Sequence, residues 1–143
     1  MDKSEILKII QRMERKHNVR KGLLEAVVQR ESNFDVQAKG QAGEVGLAQL
    51  LTKGGAIADY EQEHTPLDDY RTPENNLEVA AWYLGNRIPR YLKHYKLEES
   101  IENIVISYNA GIGRAVSGNV PSLTRGYILE IETALGKKKV IQA

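Results

Sequence analysis

Leu23, Leu24, Ala26, Val27 and Val28 make one helical stretch apolar around much of its circumference. A helix of that kind has to lie at the centre of whatever fold the chain adopts. The stretch ends in Arg30-Glu31-Ser32-Asn33-Phe34, and Gly40, Gly43 and Gly46 precede Leu47-Ala48-Gln49. Glycines so closely spaced break regular structure and let backbone approach another element or a ligand, and a short hairpin fits there. The order places one carboxyl group, Glu31, at the inner end of a buried helix, facing a glycine-shaped groove. A lone acid in a partly dry groove is what protonation of a glycosidic oxygen requires.

Helical periodicity runs through the rest of the chain and strand alternation is nearly absent, which predicts a mainly α single domain with at most a short β-hairpin. Ile6, Leu7, Ile9, Ile10 and Met13 form the apolar stripe of a first helix ending near His17-Asn18, with Lys3, Glu5, Lys8, Arg12 and Glu14 assigned to its polar side. Leu47 to Gln62 reads as a third helix weakened by Gly54-Gly55, and His64 to Arg71 as a polar loop. Thr72-Pro73-Glu74 opens a fourth helix with a hydroxyl cap, a proline at the first position and an acid in the first turn. That helix carries Leu77, Ala80, Ala81, Tyr83, Leu84 and Ile88, and Pro89 predicts a kink or restart before Tyr91-Leu92 and Tyr95. Ile101, Ile104, Val105 and Tyr108 define a fifth helix closed by Asn109-Ala110-Gly111. A last helix runs from about Thr124 to Leu135, and the basic tail over residues 136–143 reads as frayed and solvated.

With 143 residues the chain has room for one sizeable core and not two, so residues 1–143 are expected to be one domain. Lys and Arg (20) nearly cancel Asp and Glu (19), which leaves no field for nonspecific nucleic-acid binding. Cysteine is absent, so a disulfide framework and a thiolate metal site are excluded. His17, His64 and His94 lack metal-ligand spacing, so no metal or other cofactor is expected. No stretch approaches the roughly 20 apolar residues that span a bilayer. The N-terminus, Met1-Asp2-Lys3-Ser4-Glu5, has no secretory signal pattern.

Glu31-Ser32, Gly46-Leu47-Ala48-Gln49, the stretch from Asn76-Leu77 to Tyr83-Leu84 and Ser107-Tyr108-Asn109-Ala110-Gly111 occur in the order and spacing of a known family. From about Leu23 to Leu135 the chain resembles the soluble lytic transglycosylase catalytic domain. Each piece alone is a weak signal; their joint order is a strong one. The resemblance implies a lysozyme-like helical fold with a substrate groove. It implies cleavage of the β-1,4 bond after N-acetylmuramic acid in peptidoglycan, with formation of a 1,6-anhydro product. Carried over residue by residue, it makes Glu31 the sole catalytic acid and base. Gln49 is then a substrate contact, Tyr108 shapes the groove and bonds near Glu31, Asn109 orients sugar or loop, and Tyr127 lies near the acid. Val27, Val28, Leu47 and Tyr108 are the apolar neighbours that keep Glu31 protonated.

This sequence departs from the family pattern at Gly40 (frequently serine), Ala48 and Leu51 (frequently methionine) and Leu123 (glutamate). Glu44 adds an acid to the Gly-rich segment. As a general base it would make the chain an inverting hydrolase resembling goose-type lysozymes; a noncatalytic glycan-binding module is the other alternative. Trp82 and Phe34 are possible sugar platforms, with Trp82 favoured as core. The expected partner is the peptidoglycan glycan strand, acted on by a monomer in the periplasm or outside the cell. Without an export signal in the chain, a phage lysis or virion protein or an excised domain is expected.

Overall fold

In a computed structural model that describes the backbone of residues 1–142 and the side chains of residues 1–136, Asp2 accepts the Glu5 N–H at 2.9 Å and starts helix α1 (Lys3–Lys16). Ile6, Ile9, Ile10 and Met13 bury the expected stripe. Glu14, assigned to the polar side from periodicity, is instead buried at 5% exposure. Its Oε2 accepts the N–H groups of Gly22 and Leu24, both at 3.0 Å. These amides open α2 (Leu23–Ser32), so a carboxylate satisfies donors that no helical carbonyl can reach and complements the positive end of the helix. Leu23, Leu24, Val27 and Val28 are each at most 1% exposed, which puts α2 at the centre of the core.

The sequence between α2 and the next helix folds differently from the expected helix over 47–62. Gly46 (φ +79°) and Gln49 (φ +52°) take left-handed backbone, and Val45 and Leu50 exchange antiparallel bridge bonds of 2.9 and 3.0 Å. A second bridge joins Lys39 to Val45, and no longer strand is present among the described residues. Only at Gly55 does α3 (Gly55–Glu63) begin. What holds the loop is Asn76, fully buried in α4 (Pro73–Trp82). Its Oδ1 accepts the Ala48 N–H at 2.8 Å, and its Nδ2 donates to the carbonyls of Val45 and Tyr70, both at 2.9 Å. A Cβ at Gly46 would overlap that amide, so glycine is required there for space as well as for its positive φ.

Thr72 caps α4 as expected, its Oγ1 accepting from the Asn75 N–H at 3.4 Å, with Pro73 in the first turn. Pro89 has no N–H to offer Gly85 four residues back, and its ring would crowd that carbonyl. The chain answers with a π-helical turn over Tyr83–Arg87 before α5 (Ile88–His94), in which the Ile88 N–H reaches the Tyr83 carbonyl. In that turn Gly85 lies against the C-terminal end of α1, where a Cβ would overlap the His17 carbonyl oxygen. Ser100 caps α6 (Ile101–Ala110), and a short α7 (Ile112–Ser117), unforeseen in the sequence, follows Gly111. The last helix, α8 (Ser122–Gln142), continues beyond the expected end at Leu135. The solvated state expected for Lys137, Lys138 and Lys139 lies outside the described side chains. Helix α8 packs on α2 and α6, and α4 packs on α1 and α3.

Candidate active site

The last turn of α2 carries Glu31 to the wall of a groove of about 370 Å³. Helix α8 supplies the buried Tyr127, whose hydroxyl donates to Glu31 Oε2 at 2.9 Å. Burial is the leading influence on the Glu31 carboxyl and raises it above its ordinary value; the Tyr127 hydroxyl and the Arg30 charge pull it down, and the Glu44 charge pushes it up. Arg30 stacks its guanidinium 5.3 Å from the Tyr127 ring centre and stands 3.5 Å from Glu130, which keeps the tyrosine seated over the acid. Burial, followed by the Glu31 charge, pushes the Tyr127 phenol well above its usual range, so it remains a hydroxyl donor.

The loop held by Asn76 forms the opposite wall. Gln49 was expected to contact the substrate. Its Nε2 is instead committed to the carbonyls of Ala38 and Gly46, at 3.1 and 2.9 Å, because the left-handed backbone turns the side chain over its own loop. The oxygen of that amide is the atom left for a ligand. Glu44 also lines the groove, its Oε1 accepting the Ala42 N–H at 2.7 Å.

Helix α6 closes the site with Ser107, Tyr108 and Asn109. Tyr108 was expected to bond near Glu31, but its hydroxyl donates to the Ala48 carbonyl at 2.8 Å. It thereby pins the loop to α6, and its ring, 6.1 Å from that of Tyr83, forms the groove floor. Asn109 Oδ1 accepts from the buried Thr124 hydroxyl at 2.6 Å, which leaves its N–H groups for a ligand.

The sequence profile of the transglycosylase SLT domain matches residues 8–119, most of the chain and every motif that builds this groove except Tyr127. The chain belongs to the transglycosylase SLT domain family. Membrane-bound lytic murein transglycosylase F of Haemophilus influenzae (strain PittEE) is 30% identical over 94 residues, covering 66% of this chain and 18% of that protein. The 70 kDa soluble lytic transglycosylase of Escherichia coli superposes with a TM-score of 0.71 at 20% identity, over 89% of this chain and 23% of the other. The complex of the 70 kDa soluble lytic transglycosylase with bulgecin A gives 0.76 at 18% identity, over 95% and 24%. These superpositions show the fold, and the chain spans under a quarter of the length of each relative.

Within the SLT domain several residues take places that the sequence did not reveal. Tyr83, read as helix core, lines the groove beside Tyr108. Asn76 was part of a recognised motif without a role, and no local signal shows that its amide organises a loop 28 residues away. Trp82 is core, packed edge-on against Tyr60 and His64. Phe34 does not line this groove, and the Lys3 ammonium lies 4.6 Å from its ring centre. His17 bonds Glu78 at 2.9 Å, and His64 stacks on Tyr60 at 4.0 Å.

Tyr127→Phe removes the hydroxyl that favours the ionised form of Glu31, so the carboxyl rises further. A reaction that needs protonated Glu31 should then hold its rate to higher pH. A pH profile of activity for the variant is expected to have its alkaline limb displaced upward; an unmoved or lowered limb would count against this arrangement.

Proposed function

We propose that this domain is a peptidoglycan lytic transglycosylase in which Glu31 is both acid and base. The observation that carries the reading is one carboxyl group, raised by burial and bonded by Tyr127, in a groove assembled from the family's motifs. Protonated Glu31 gives its proton to the glycosidic oxygen leaving C1 of N-acetylmuramic acid, and the C1–O bond breaks through an oxocarbenium-like state assisted by the sugar's N-acetyl group. Glu31, now a carboxylate steadied by the Tyr127 hydroxyl, takes the proton of the C6 hydroxyl on the same sugar. That oxygen bonds to C1 and gives the 1,6-anhydro product, with Glu31 protonated again. No water enters the balance. The attacking hydroxyl is already attached to the substrate, so the entropy of capturing a separate nucleophile is avoided.

Gln49 through its oxygen and Asn109 through its N–H groups are the polar contacts this reading assigns to the sugar. Glu44, in the same groove, favours a second reading in which it activates water and the product has a reducing end. The glycan strands of the bacterial wall are the proposed substrate, and the wall is the proposed place of action. No helix among the described residues is long and apolar enough to cross a membrane.

Incubation of the purified protein with peptidoglycan sacculi, followed by mass analysis of the soluble muropeptides, tests the reading. Anhydro ends are expected. Reducing ends would favour the Glu44 hydrolase, and no release from several peptidoglycan types would favour a binding module.

A further inference from the structure

Every titratable residue on the groove wall is an acid or a phenol: Glu31, Glu44, Tyr83 and Tyr108 line it, and no Lys, Arg or His does. Glu31 is raised by burial and is the proton donor of the proposed mechanism. The second carboxyl, Glu44, has a defined seat. One oxygen accepts the Ala42 N–H at 2.7 Å, and the Glu44 carbonyl accepts the Gly40 N–H at 2.9 Å. The other carboxyl oxygen, Oε2, lies over Gly40, where a Cβ would overlap it and stand 2.9 Å from the Gln49 oxygen. Gly40 therefore creates the space in which this carboxylate lies. Among the described residues the bond to the Glu44 carboxyl is that from Ala42 to Oε1, and none reaches Oε2.

We propose that Glu44 is a specificity-determining residue that takes an ammonium group of the peptidoglycan, seated by the absence of a side chain at Gly40. The inference rests on the transglycosylase reading of the groove. A half-buried carboxylate without a cation retains its attraction for a positive donor, and a charge-assisted hydrogen bond is about twice as strong as a neutral one. A metal ion fits poorly, because no group of three His, Asp or Glu side chains gathers there among the described residues. The ligand chemistry that remains is a compact ammonium on the glycan or its stem. It has two sources: the 2-amino group of a glucosamine that lacks its acetyl group, and the side-chain amino group of the stem diamino acid. The same carboxylate disfavours the stem carboxylates of peptide-bearing strands, and the lactyl carboxylate exposed where the stem is removed, wherever no ammonium accompanies them.

The test compares kcat/KM on four strand preparations: fully acetylated or partly de-N-acetylated, each with stem peptides retained or removed. The wild-type protein is expected to prefer strands that carry an ammonium by about fivefold, the size of a partly exposed ion pair. The de-N-acetylated, peptide-free arm and the acetylated, peptide-bearing arm separate the two sources. In Glu44→Gln the ratio between preparations is expected to fall to about one. Gly40→Ser keeps the charge but fills its seat, and should reduce the ratio as well; matching thermal melts show that both variants are folded. Equal wild-type rates on all four preparations would overturn the inference and leave the transglycosylase reading standing, whereas a Glu44→Gln variant that slows all of them alike would overturn it and favour the reading in which Glu44 activates water. No release from any preparation would defeat both.

Discussion

Glu31→Gln should abolish the release of muropeptides, with a loss of about 10³-fold or more, because in the proposed mechanism one side chain performs both the acid and the base step and each contributes about 10²–10⁴-fold. Glutamine keeps the size of the side chain and a carbonyl oxygen for the Tyr127 hydroxyl, so the groove should persist. The same variant carries a stability signature whose sign follows from burial. The Glu31 carboxyl titrates above its ordinary 4.5 in the folded chain. Between 4.5 and the raised value the folded state binds more protons than the unfolded state, so stability falls as pH rises through that window and stays lower above it. Glu31→Gln lacks this titration. Its Tm relative to wild type should therefore be higher at pH 7 than at pH 4. An inactive variant that gains on wild type at neutral pH would show the acid held against its own preference for water, and a variant that retains activity would remove Glu31 from its role.

Asn76→Ala is the second large effect, and it acts on the fold and the site together. Asn76 is fully buried and makes three hydrogen bonds, to Ala48, Val45 and Tyr70. Alanine leaves the Ala48 N–H and the Tyr70 carbonyl unsatisfied in the interior, while the Val45 carbonyl keeps the Leu50 N–H at 3.0 Å, a loss of about 2 kcal/mol at about 1 kcal/mol or more per group. The loop that carries Glu44 and Gln49 loses its main tie to α4, so activity should fall even at temperatures where the variant is folded. Urea denaturation checks the first part and sacculus digestion well below the midpoint checks the second. A loss under about 1 kcal/mol with normal digestion would mean that the loop is held by other contacts.

Helix starts and stops could be read from the sequence because their causes are local. Thr72-Pro73-Glu74 caps α4 within three residues, and Gly111 ends α6 by its own backbone freedom. The burial of α2 was equally legible, since its apolar residues leave almost no polar face. The stretch after Gly46 was misread because its decisive partner is distant in sequence: without Asn76, Leu47 to Gln62 has helical periodicity, and with it the chain turns left-handed at Gln49. Glu14 followed the same logic, a charge placed on the polar face by period and drawn inward by the open amides of a different helix. At the site, motif order supplied the members of the groove but not their bonds. Tyr108 and Tyr127 were both placed near the acid, and only the packing of α8 on α2 makes Tyr127 the donor while Tyr108 holds the loop.

The most direct measurement is digestion of peptidoglycan in water enriched in oxygen-18, with mass spectra of the released N-acetylmuramic acid ends. If Glu31 works alone and the C6 hydroxyl closes onto C1, the ends form as anhydro sugars carrying no heavy oxygen. Ends that form with one oxygen-18 at C1 would show that water is the nucleophile, and would contradict the assignment of both proton transfers to Glu31 without a second catalytic carboxylate.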